Sequence, residues 1–165
     1  MKKKKKIIII TTIVLSILIF LTLTYNSLIL NSYVNNNFNV DYDKTWTEIN
    51  KSKNHILLKN NNGSTINITS SKYKKKTSKE EAYLNIHKYF VNNNKEYNLI
   101  NKKEVIIGKN YIKGYSLLYE SNIDQSLLYI IYKDNYIIQI NYTALTQYFD
   151  LDLEKFYNVV NTIEV

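Results

Sequence analysis

Cysteine, proline and arginine are absent from this chain of 165 residues, and glycine occurs three times. Without cysteine there are no disulfides, no thiol chemistry and no lipidated-cysteine anchor, so a folded domain must hold together through its core alone. Without arginine the planar fork suited to bidentate phosphate or guanine contacts is missing, which disfavours nucleic-acid binding. The same absences, set beside abundant Lys, Asn, Ile and Tyr, are the codon drift of an AT-rich genome and suggest a low-GC bacterium, a bias that some AT-rich eukaryotes share. That drift accounts for the 16 tyrosines and for the asparagine clusters 35–37, 60–62 and 92–94 without a functional demand.

Chemical signatures are missing too. His55 and His87 are the only histidines, and neither has a partner at metal-ligand spacing. No Gly-x-Ser-x-Gly nucleophile setting occurs. Asp41 with Asp43, and Asp150 and Asp152 with Glu154, are oxygen sets of the kind that bind hard cations. The first pair suits a strand flank better, and the second a helix N-terminus, where carboxylates are favoured by the helix dipole. We therefore expect no catalytic residue, no metal ligand and no cofactor site, and read the chain as no enzyme.

What the chain does have is a membrane signal. Lys2 to Lys6 precede an uncharged run, and 13 of the 17 positions from Ile7 to Leu23 are Ile, Leu, Val or Phe. At ~1.5 Å per residue, Ile7 to Tyr25 makes a helix about 28 Å long, close to the ~30 Å hydrocarbon core of a bilayer. The lysines hold the N-terminus in the cytoplasm, which puts the rest of the chain outside the cell membrane. The expected organisation is a basic tail at 1–6, a single-pass signal anchor at 7–30, a linker at 31–37 and one extracytoplasmic domain at 38–165. The alternative is secretion after cleavage of the segment as a signal peptide, but the run is long for one and small-x-small sites near Thr24 are poor.

The formal charge of +8 owes five units to the anchor lysines; beyond them 17 lysines face 14 acids, leaving +3, an ordinary surface balance. The remaining ~128 residues suit one compact domain. Period-two alternation over 64–71 and an Asn60-Asn61-Asn62-Gly63 turn predict a hairpin with His55 to Lys59. Thr77-Ser78-Lys79-Glu80 reads as a capping box opening a helix to about Val91, with Ala82, Tyr83, Ile86 and Phe90 buried. Extended segments at 99–107, 111–120, 125–132 and 136–143, separated by turn signals, predict an antiparallel meander. A second helix is expected from Asp150 as N-cap, carrying Leu153, Phe156, Tyr157 and Val160 inward. Meander strands apolar on both faces need cover on both, so the fold class is α+β, an antiparallel sheet between two helices in an α/β/α-type sandwich.

The Tyr42-Asp43-x-x-Trp46 opening, the hairpin, the capped helix, the meander, the Ile140-x-Tyr142-x-Ala144 strand end and a closing helix with Phe156 and Ile163 together resemble the PsbP/DcrB-like fold. The resemblance spans 38–165. It implies a non-enzymatic accessory or binding protein, often exported and membrane-attached, and carries no functional residue onto this chain.

Two surface features remain. Lys72, Lys74, Lys75, Lys76 and Lys79 form the one local charge run of the domain, a candidate contact for anionic lipid headgroups or wall polymers, for which a solvated loop is the plainer reading. Tyr111, Tyr115 and Tyr119 fall at even spacing, a candidate aromatic face for sugar stacking or a partner, for which strand core is the plainer reading. The expected function is docking on another envelope protein or complex. The alternative is binding of lipid, glycan or anionic wall polymer, and a hydrolase is a distant third.

Overall fold

The computed structural model describes residues 15–17, 30–73 and 78–165. The expected anchor at 7–30 lies outside the described residues except for 15–17, which are helical, and Leu30. Among the described residues no helix is long and apolar enough to cross a membrane.

From Asn31 the element order is β1 (Asn31–Val34), β2 (Asn39–Tyr42), β3 (Trp46–Ser52), β4 (His55–Asn60), β5 (Thr65–Lys72), α1 (Lys79–Asn93), β6 (Asn98–Ile107), β7 (Ile112–Glu120), β8 (Asp124–Lys133), β9 (Tyr136–Leu145) and α2 (Thr146–Asn161). β1 and β2 make a separate hairpin, and the other seven strands form one antiparallel sheet in the order β3-β4-β5-β9-β8-β7-β6. The expected hairpin is β4–β5. In its turn the Asn60 Oδ1 accepts the backbone N–H groups of Asn62 (2.9 Å) and Ser64 (3.0 Å), while Gly63 takes the positive φ of +86° that side chains resist. The expected meander is β6 to β9.

Two-faced burial is plainest in β8, where every residue from Ser126 to Ile131 is buried. Above the sheet, α2 and the β1–β2 hairpin close a core that includes Trp46, Ile66, Ile68, Tyr129, Ile140, Tyr142 and Phe156. Below it, α1 sets Ala82 and Tyr83 against Leu117, Tyr119, Leu128, Ile130 and Ile137. The architecture is an α+β fold with its large antiparallel sheet covered on both faces.

Three local expectations change. The stretch 31–37, expected as a linker, contains β1: Tyr33 is buried and its hydroxyl donates to the Ser52 carbonyl (2.5 Å), which the polar composition of the stretch concealed. The cap of α1 is Ser78, not Thr77, and its Oγ accepts the Glu81 N–H (3.1 Å), so the Ser-x-x-Glu box is shifted by one residue; Thr77 lies outside the described residues. α2 begins at Thr146, not Asp150, and has no side-chain cap. There tertiary packing overrides capping preference: Phe149 must already be helical to pack on Tyr142 (ring centroids 5.1 Å), whose hydroxyl donates to the Phe149 carbonyl (2.8 Å).

Candidate functional site

The sheet is wider than its upper cover. α2 packs on β9, β8 and β2, and β6 beyond them is exposed from Asn98 to Glu104. The step between α2 and the outer strands is a cleft of about 220 Å³. Buried Ser116, Leu127 and Phe149 line it together with half-buried Leu118 and Leu153, while exposed Asn101, Lys103, Asp150 and Tyr157 surround them. Sites for whole small molecules run to ~300–1,000 Å³. This one has room for a large side chain or a small group, on an apolar base with one cation and one carboxylate beside it. β6, next to it, is an edge strand exposed at every position from Asn98 to Glu104. A bulge between Leu99 and Asn101 twists its start.

The candidate tyrosines do not form one open face. Tyr111 is 80% exposed but stands in the β6–β7 turn with φ of +52°, outside β7. Tyr115 and Tyr119 point below the sheet, where α1 covers them: Tyr115 packs on Tyr83 (4.9 Å) and the fully buried Tyr119 stacks on Phe90 (4.2 Å). Burial holds the Tyr119 hydroxyl well above its ordinary range, with Tyr83 adding to the effect. His87 closes this cluster, its Nδ1 sharing a hydrogen bond with the Tyr119 hydroxyl (2.8 Å), and Lys102 sits 3.9 Å over the Tyr83 ring. His55 is half-buried in β4.

Of the candidate lysines, Lys72 ends β5 and Lys79 begins α1, both exposed; Lys74, Lys75 and Lys76 lie outside the described residues. The acid sets have local work. Asp41 accepts the Ser32 hydroxyl (2.7 Å) and pairs with Lys109 (3.4 Å), and Asp43 accepts the Thr45 N–H (2.8 Å). Among the described residues no three His, Asp or Glu side chains gather as a metal site.

The sequence reading placed Asp152 with Asp150 and Glu154 at a helix N-terminus and missed that it is the most polar point of the interior. Asp152 is 0% exposed, on the inner stripe of α2 between Phe149 and Phe156. It accepts Ser64 Oγ (2.8 Å), Asn62 Nδ2 (3.1 and 3.2 Å) and Lys155 Nζ (2.7 Å). Burial pushes its pKa up, but hydrogen bonds from Lys155, with the Asn60, Ser64 and Asn62 side chains behind it, more than offset this and hold the carboxyl at about 2. The cluster fastens α2 to the β4–β5 turn. Spacing was the available signal, because Asp152 is three residues after Phe149 and four before Phe156, on an otherwise apolar face.

No protein-family model matches this chain, and no curated protein matches it in sequence. Solved structures do resemble it. The solution structure of cyanobacterial PsbP (CyanoP) from Synechocystis sp. PCC 6803 aligns over 82% of this chain and 92% of its own, with a TM-score of 0.64 at 11% identity. The crystal structure of LpqN, involved in cell envelope biogenesis of Mycobacterium tuberculosis, aligns over 82% and 92% with a TM-score of 0.54 at 13% identity. The fold is PsbP-like, as the element order implied. At these identities the likeness is one of fold.

Proposed function

We propose that this chain is a non-catalytic accessory protein of the cell envelope, held to the membrane through residues 7–30 with its domain outside, and that it docks on a partner protein. The uncovered step between α2 and the outer strands carries this reading. A partner's apolar side chain fits the small cleft, in the manner of a buried anchor at the centre of an interface. The free edge of β6 beside it offers backbone groups to an extended segment of the same partner. The size of the cleft favours this over a whole lipid or glycan as its occupant.

The test is photo-crosslinking in membranes, with a benzophenone amino acid replacing Lys103, compared with one at Lys59 in β4. A discrete adduct from the Lys103 position, lost on Leu153→Glu, is the expected result. Adducts of equal yield at both positions, or none at Lys103, would overturn the reading.

A further inference from the structure

Of the three glycines only Gly63 follows an asparagine, and Asn62 and Gly63 are both exposed in the β4–β5 turn. An asparagine in front of glycine is chemically labile, because no side chain on the next residue shields the backbone nitrogen. That nitrogen attacks the side-chain carbonyl carbon Cγ of the asparagine, the bond from Cγ to the amide nitrogen breaks, ammonia leaves and a succinimide ring closes. Water then opens the ring at either carbonyl, giving aspartate or isoaspartate. Water is the only co-reactant and no oxidation state changes. Among the described residues a Cβ placed on Gly63 would meet nothing within 4 Å, so no neighbour crowds the approach.

The folded turn restrains both reacting groups. The Gly63 N–H donates to the Asn60 carbonyl (3.1 Å), and Asn62 Nδ2 donates to both carboxylate oxygens of Asp152 (3.2 and 3.1 Å). These bonds must break before nitrogen and carbon meet. An exposed turn opens locally at a smaller cost than the whole fold, so the native protein still reaches the reactive arrangement.

The partner of Asn62 gives the reaction its consequence. Conversion replaces a donor by an acceptor oxygen and sets a second negative charge against Asp152, whose side chain is 0% exposed. Lys155 bonds Asp152 (2.7 Å) and balances one carboxylate, not two. Isoaspartate also lengthens the backbone of a turn whose shape rests on the bonds from Asn62 N–H and Ser64 N–H to Asn60 Oδ1. We propose that Asn62 is a modification site, a spontaneous deamidation that turns the contact between the β4–β5 turn and α2 from attraction into repulsion. Phe149, Asp150 and Leu153 of α2 also line the cleft, so an aged molecule holds that wall less firmly.

The test has two arms. In the first, the full chain in detergent is kept in mildly alkaline buffer and digested at intervals, and mass spectrometry follows each asparagine. Asn62 should convert well ahead of Asn61, which is exposed in the same turn but precedes no glycine. In the second, urea unfolding compares variants. Asn62→Asp should lose more midpoint than Asn62→Ala, which removes the amide without adding charge. Asn62→Asp with Asp152→Asn, which exchanges amide and acid across the same contact, should regain at least half of the loss. Conversion at Asn62 no faster than at Asn61, equal midpoints for Asn62→Asp and Asn62→Ala, or no recovery in the exchanged pair overturns the proposal. Docking at the α2–β6 cleft stands or falls separately, since its crosslinking test needs neither residue.

Discussion

Asp152 is a charge held where an apolar residue belongs, and its partners decide its worth. Asp152→Ala leaves Ser64 and Asn62 without their acceptor and removes the counter-charge of Lys155, so unfolding in urea should show a loss of about 2–4 kcal/mol. The pH dependence has a definite sign. A carboxyl at about 2 when folded and 3.8 otherwise stabilises fully above pH 4, and that contribution disappears as pH falls from 4 towards 2. Wild type should lose midpoint over that window, and Asp152→Ala should lose less. The residue was visible in the sequence as an acid among Phe149, Leu153 and Phe156, but an acid near a presumed helix start reads as a cap. Only the continuation of β9 into α2 shows that Asp150 and Asp152 are already a full turn inside. Tyr119 gives the converse case: its spacing and the need for a cover were legible, and which of the two helices lies over it was not.

At the level of elements, the sequence specifies strands and turns closely because each is a local matter. Alternation, Asn-Gly turns and Ser-x-x-Glu caps act within a few residues. The Ser78 cap should follow the usual scale, with Ser78→Ala costing about 1 kcal/mol in urea unfolding. Gly108 is more demanding. It takes φ of +72°, a Cβ there would meet the Ile163 carbonyl oxygen at 2.3 Å, and the next residue's N–H donates to that oxygen (2.9 Å). Gly108→Ala should cost about 1–3 kcal/mol and increase hydrogen exchange at Lys109. What local signals do not carry is which strands meet. The pairing of β5 with β9, residue for residue from Thr65–Thr143 to Lys72–Tyr136, joins a hairpin to a meander from the far side of α1, and nothing in either strand announces the other. The cleft was equally hidden, because it arises from the mismatch between a seven-stranded sheet and one helix.

For the whole molecule, one sheet serves two cores, and this ties their fates together. Leu117→Ala empties space under α1, on the face opposite Trp46, yet the loss of about 2–4 kcal/mol should appear in Trp46 fluorescence and in far-ultraviolet circular dichroism at one shared midpoint. Separate midpoints would mean two units rather than one. The overall arrangement was readable from two-faced apolar strands, which require two covers, whereas the order of the strands in the sheet emerges only once they are laid side by side. The β5–β9 junction also imposes an order in time. A chain delivered N-terminus first presents β5 with an open flank until 136–145 arrive, several seconds later at ~5–20 residues per second. Throughout that interval β3, β4 and β5 are a half-built sheet with a sticky margin, so completion must wait for the last quarter of the polypeptide, and any helper that shields nascent strands acts in that gap.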